Sequence, residues 1–162
     1  MSRILSINIE DGHPRQTISA QLGIDGERLA AQFLEDNGYR LVLSNFKVPV
    51  GRNSRGVSVT GEIDIVAVDE ETLCFVEVKT RRSSEFAEPL ASVTRRKQRQ
   101  IIRTARMYRR IFGVYDIAHQ FDVVTVLVPK HAEPTVEVLK GYWSESMFRK
   151  RRWSDQHWQE YR

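Results

Sequence analysis

Two stretches decide the fold, Gly61-Glu62-Ile63-Asp64-Ile65-Val66-Ala67-Val68 and Leu73-Cys74-Phe75-Val76-Glu77-Val78-Lys79-Thr80, with Asp69-Glu70-Glu71-Thr72 between them. Both are rich in β-branched and aromatic residues, and the acidic segment between them suits a turn, so residues 57–80 read as a hairpin. Successive side chains of a strand point to opposite faces. Alternation puts Glu62 and Asp64 on one face with Ile63, Ile65 and Ala67 on the other, and Glu77 and Lys79 together with Val76 and Val78 opposite. A turn centred on Glu70 and Glu71 sets Asp64 across from Glu77 and Glu62 across from Lys79. A one-residue slip would mix charged and apolar faces, so the pattern fixes the register. Two facing carboxylates repel. The arrangement is sensible if a hard divalent cation such as Mg²⁺ lies between them, since that ion takes carboxylate oxygens and keeps several waters. The plainer alternative is a surface hairpin with an ordinary Glu62 to Lys79 ion pair, contributing at most about 1 kcal/mol. The apolar opposite faces and the mid-chain position favour a cleft.

Working outward, Leu22, Leu29, Ala30, Phe33 and Leu34 recur at helical intervals and Gly38 stands where a left-handed cap belongs, so a helix covers about residues 19–37. Glu27 borders its apolar face and is either a third carboxylate of the cleft or a solvated first-turn residue. Residues 39–48 read as a strand and the Gly, Ser and Arg of residues 50–58 as a flexible loop carrying Arg52 and Arg55. From Pro89 the chain reads as a second long helix to residue 112, with an inward seam of Leu90, Val93, Lys97, Ile101, Ala105, Tyr108 and Phe112. A lysine in that seam either snorkels outward or meets the carboxylates, and Gln98 flanks it. On the far side Arg96, Arg99, Arg103, Arg106 and Arg110 form a stripe. Between Pro89 and Tyr115 there is no acidic residue, so i±4 pairing cannot relieve the stripe, and successive phosphates are the expected partner. Strands follow at residues 121–128 and 135–141. Residues 1–18 read as a tail or edge strand, 19–141 as the domain, and 142–162 as a basic aromatic tail. The order of elements predicts an α/β domain with a mixed central sheet flanked by helices.

Composition sets the outer bounds. The chain has 162 residues, 25 Lys and Arg against 21 Asp and Glu, and 41% hydrophobic residues, enough for one packed domain. The net charge of +4 hides a separation, because residues 95–110 carry eight basic and no acidic side chains. A single cysteine and four scattered histidines exclude a disulfide framework and a zinc-finger spacing. No apolar run approaches the roughly 20 residues that cross a bilayer, and the first residues lack the apolar core of a secretion signal. A cytoplasmic protein with no membrane partner is expected.

Gly61-Glu62-Ile63-Asp64 followed by Phe75-Val76-Glu77-Val78-Lys79-Thr80-Arg81 resembles the active-site core of the PD-(D/E)XK nuclease superfamily. Gly23, Gly26-Glu27, Ala30, Gly38-Tyr39, Asn45, Lys97-Gln98 and Phe121-Asp122-Val123-Val124 extend the resemblance to the YraN-like bacterial family, akin to Holliday-junction resolvases, over roughly residues 19–128. The resemblance implies a restriction-endonuclease-like core and a metal-dependent endonuclease. Asp64, Glu77 and Val78 would hold Mg²⁺ or Mn²⁺, and Lys79 would position or activate the attacking water. Glu27 and Glu62 match further acidic positions, and Lys97 or Gln98 the polar helix residue near the scissile phosphate. The expected substrate is nucleic acid, DNA ahead of RNA, branched or damaged structures included, gripped by Arg52, Arg55, Arg81, Arg96, Arg99 and Arg103. A homodimer would suit two-fold-symmetric substrates. Residues 48–60 are longer than the family pattern. Two other readings use parts of the same sequence. One is a non-catalytic nucleic-acid-binding protein with a relic nuclease site. The other is an interaction protein docking through Trp143, Trp153 and Trp158.

Overall fold

The computed structural model describes residues 18–82 and 92–148. In chain order the elements are α1 (Ile18–Asp36), β1 (Arg40–Arg52), β2 (Ser58–Asp69), β3 (Thr72–Arg81), α2 (Arg95–Ile111), β4 (His119–Leu127), β5 (Thr135–Trp143) and a 3-10 turn over Glu145–Phe148. The strands form one sheet in the order β1-β2-β3-β4-β5. All neighbours are antiparallel except β3 and β4, which run parallel because α2 carries the chain back between them. The sheet is mixed and has helices on both faces, as the element order predicts.

Alternation along β3 divides the core. Leu73 and Phe75 join Ile101, Ile102, Ala105 and Tyr108 of α2 on one face. Cys74 and Val76 join Ala30 and Leu34 of α1 on the other. Phe75 is fully buried and sits edge-on to Tyr108, with Phe121 beside it. Cys74 is a buried hydrophobe, and burial pushes its thiol up to about 12. Helix α1 ends at Asp36 and is capped at Gly38, whose φ of +88° accepts the left-handed conformation while Tyr39 N–H reaches back to Leu34 O at 3.0 Å.

Several expectations change. The second helix begins at Arg95, not Pro89, because Thr94 caps it by accepting Lys97 N–H on its hydroxyl at 3.3 Å. Pro89 and Leu90 lie outside the described residues. The stretch read as a flexible loop is the end of a β1–β2 hairpin. β1 continues to Arg52, which pairs with Ser58. Asn53 closes the tip, its carboxamide oxygen accepting the N–H groups of Arg55 and Val57 at 2.9 and 3.0 Å. Gly56, at φ +76°, completes the turn. Trp143 belongs to β5 and stacks on Phe121 at 5.3 Å, 3% exposed, so it serves the core instead of docking a partner. Residues 1–17, Trp153, Trp158 and the basic run 149–152 lie outside the described residues. Among the described residues no helix is long and apolar enough to cross a membrane.

Candidate functional site

The hairpin register is the expected one at the turn end, running from Asp69↔Thr72 to Ile65↔Val76. Pairing then stops. Asp64 Oδ2 accepts the Val78 N–H at 2.7 Å, so a side chain takes the place of a ladder carbonyl. The pleat also breaks there. Ile63 packs with Val66 beneath α2 whereas Ile65 and Ala67 pack beneath α1, which corrects the reading that put Ile63, Ile65 and Ala67 on one face. The strand opposite is also irregular at this level. Asn45, lying between the pairs Ser44↔Ile65 and Phe46↔Ile63, has φ +54°, a kink in β1 at the level of Asp64.

Where the strands part, charges gather. Asp64 is 9% exposed and Glu77 is 3% exposed. Lys79 Nζ donates to Glu77 Oε1 at 2.9 Å, and Lys97 of α2 brings its Nζ to 3.2 Å from Glu77 Oε2. The lysine of the helix seam therefore meets the carboxylates and does not snorkel away. Burial, and then the Glu77 charge, push the Asp64 carboxyl up to about 7, with a smaller repulsion from Glu27 and opposing help from the Val78 N–H and Lys97. Burial by itself would lower the Lys97 ammonium, but Glu77, Asp64 and Glu62 outweigh it and raise its pKa. Glu62 adds only its charge to this cluster. It pairs with Lys47 of β1 at 3.2 Å on an exposed surface, not with Lys79, because the strands have separated before Glu62 and Lys79 could meet. Gln98 turns back to its own helix end, donating to Val93 O at 2.9 Å.

Two glycines bring the helices in. A Cβ on Gly61 would lie 2.0 Å from Thr104 Oγ1, so α2 crosses β2 directly beside Glu62. A Cβ on Gly26 would lie 1.8 Å from Thr80 Oγ1, so α1 closes on β3 beside Lys79 and carries half-buried Glu27 to the cluster.

The donor set suits a hydrated hard cation. Asp64 and Glu77 offer carboxylate oxygens, and the Val78 side chain packs under α1, which leaves only its main chain for a ligand. Glu77 Oε2 is buried, with the Lys97 ammonium beside it in an ion pair at 3.2 Å. Among the described residues no three His, Cys, Asp or Glu are grouped closely enough to enclose a metal.

The arginines divide. Arg52, Arg96, Arg99 and Arg103 line an open pocket of about 330 Å³ between the β1–β2 hairpin and α2. Arg55 projects from the hairpin tip and Arg81 hydrogen-bonds Thr80 O, and neither lines it. Arg106 departs from the unrelieved stripe, because Glu145 Oε2 accepts from its Nε and Nη2 at 3.1 and 2.6 Å. Asp122, which enters the sequence reading only through the resemblance, has a structural part. This fully buried carboxylate accepts the Gly141 N–H at 2.7 Å and holds a bulge between β4 and β5. An acid amid Phe121, Val123 and Val124 was the available signal.

The family model described as uncharacterised protein family UPF0102 matches residues 26–126. A UPF0102 protein of Renibacterium salmoninarum is 39% identical over 121 residues, spanning 75% of this chain and 94% of that one. One from Chlorobium limicola is 43% identical over 106 residues, spanning 65% and 74%. Among solved structures, the crystal structure of SSO0001 is similar with a TM-score of 0.38 and 11% identity, over 82% of this chain and 56% of that one. The matched region carries Glu27, the parting strands with Asp64, Glu77 and Lys79, and Lys97 of α2, and the chain belongs to the uncharacterised protein family UPF0102, the YraN-like family of the PD-(D/E)XK nuclease superfamily.

Proposed function

We propose that this chain is a metal-dependent endonuclease that hydrolyses phosphodiester bonds in nucleic acid, with DNA ahead of RNA. The observation that carries the reading is the pair of buried carboxylates, Asp64 and Glu77, beside two lysines from different elements at the point where β2 and β3 separate. Buried like charges are costly to keep, and groups perturbed in this way cluster at functional sites. A divalent cation held by Asp64 and Glu77 would supply Lewis-acid charge to the phosphate and acidify a water. The chain's own groups do the rest. Val78 N–H fixes the Asp64 carboxylate through Oδ2. Lys79 and Lys97, held by opposite oxygens of Glu77, place two ammoniums where the phosphate and the attacking water's oxygen need positive charge. Water adds to phosphorus, the P–O bond to the leaving sugar oxygen breaks, and that oxygen takes a proton. Glu27, on α1 at the margin, orients rather than holds.

The test is incubation of the purified protein with single-stranded, duplex and four-way-junction DNA in EDTA, Mg²⁺ or Mn²⁺, beside Asp64→Ala and Lys79→Ala. Cleavage that needs the metal and falls by a factor of about 10² or more in both variants is expected. Binding to these substrates without such cleavage would instead favour a non-catalytic nucleic-acid-binding protein, a reading supported by the arginine pocket alone.

A further inference from the structure

The four-arginine pocket has a construction that an ordinary solvated helix face lacks. It has two walls from distant parts of the chain. Arg96, Arg99, Gln100 and Arg103 come from α2, and Val50, Arg52, Asn53 and Val59 from the β1–β2 hairpin. Gln100 ties the walls together by donating to Thr60 O at 2.9 Å. The hairpin wall is ordered by the Asn53 hydrogen bonds, and Arg52 is laid across the tip by its bond to Gly56 O at 2.6 Å. No acidic side chain lines the pocket. Among the described residues Arg96 and Arg103 have no ion pair or hydrogen bond through their guanidinium groups, and Arg99 has only the Phe148 ring, 5.3 Å away. Where α2 continues past the pocket the chain does neutralise its arginine, since Glu145 takes Arg106. Charge is left unpaired in the pocket, whereas Arg106, the next arginine of the stripe, is neutralised by Glu145.

We propose that this pocket binds consecutive phosphates of one nucleic-acid strand, flanking the phosphate at the carboxylate–lysine cluster. The spacing fits. Arg96 to Arg103 rises about 10 Å along the helix, roughly the axial rise of three phosphates in one strand of a duplex. One turn of α2 presents Lys97 to Glu77 and Arg96 to the hairpin, so a strand leaving the cluster enters the pocket without crossing another element of the sheet. The inference deepens the nuclease reading and depends on it for the identity of the ligand. It also divides the expected phosphate-binding arginines, keeping Arg52, Arg96, Arg99 and Arg103 and leaving out Arg55 and Arg81.

The test measures binding of the full chain to a short fluorescent duplex DNA in EDTA across a range of salt concentrations, so that no cleavage is required. Arg52→Ala with Arg103→Ala should weaken binding roughly tenfold or more and reduce the slope of log affinity against log salt by about two. Arg40→Ala, an exposed arginine at the start of β1, serves as the control and should leave both values near wild type. Thermal melting checks that each variant is folded. A wild-type slope in the double variant, an equal loss in Arg40→Ala, or no measurable binding by the wild type would overturn the proposal. If the slope falls as expected while the metal-dependent cleavage assay is negative, the pocket stands and the nuclease reading fails. If cleavage is found and the slope is unchanged, the nuclease reading stands and the pocket fails.

Discussion

At its turn end the β2–β3 hairpin is a regular ladder, and at its open end the same two strands part around charge. From Asp69↔Thr72 to Ile65↔Val76 the backbone groups pair and both faces are buried, one beneath α1 and the other beneath α2. One residue further on, Asp64 accepts the Val78 N–H on its side chain, and Glu77 turns both oxygens to lysines. The first region is stabilised by volume and should fail when volume is removed. The second carries charges that oppose folding and should gain stability when one is removed. A continuous core on one side makes an unfavourable cluster tolerable on the other.

The largest expected effect belongs to the turn end. Phe75 is fully buried and contacts Tyr108, Phe121 and His119. Phe75→Ala should cost about 3–5 kcal/mol in denaturant unfolding, the transfer of the ring plus the cavity it leaves. A loss below about 1 kcal/mol would mean that this half of the hairpin is not the support it is taken to be.

The open end should respond with the opposite sign. The Asp64 carboxyl is pushed up to about 7 in the folded protein by burial and by Glu77, against about 4 in an unfolded chain. A raised acid binds more protons folded than unfolded. Its contribution to stability is therefore complete below about pH 4 and is lost as pH rises through about 7. In EDTA, the melting temperature of the wild type should fall more between pH 5 and 8 than that of Asp64→Asn. The variant should be the more stable protein at pH 8, by an amount of the order of 4 kcal/mol. Parallel melting profiles would show that the carboxyl is not strained in the metal-free protein.

The same contrast explains what could be read from the sequence. Glu77 and Lys79 against Val76 and Val78 follow a period of two, so the register at the turn end was visible. Lys97 announced itself as a charge in an apolar seam. Alternation assumes a uniform pleat, however, and it failed at Asp64, opposite the positive-φ Asn45, where Ile63 and Ile65 go to different cores. The same failure misassigned Glu62, which left Lys79 for Lys47. Residues 50–58 have the composition of a loop, yet one carboxamide, Asn53, bonds its own backbone and makes the segment a hairpin wall. The Glu145 partner of Arg106 is 39 residues away, so a search over one helix face could not find it.

Gly61 is where the two regions meet, and it gives the smallest of these effects. In the sequence it was only the first residue of a motif, and its φ demands no glycine. Its reason is the neighbour. An added Cβ would lie 2.0 Å from Thr104 Oγ1, 2.7 Å from Val50 Cγ1 and 3.2 Å from Thr104 Cβ. Thr104 cannot swing aside easily, since it is fully buried, β-branched within a helix, and its hydroxyl donates to Gln100 O at 2.8 Å. Gly61→Ala must therefore push α2 away from β2, at about 1–3 kcal/mol. Because Lys97 and Gln100 ride on the same helix, that displacement should also reduce cleavage and DNA affinity. Thr104→Ala removes the closest of these atoms, so Gly61→Ala should cost less in that background than alone, a coupling of at least about 0.5 kcal/mol in a double-mutant cycle. Strict additivity would mean that α2 does not rest on Gly61, and the link between the core of the hairpin and the placement of Lys97 would be broken.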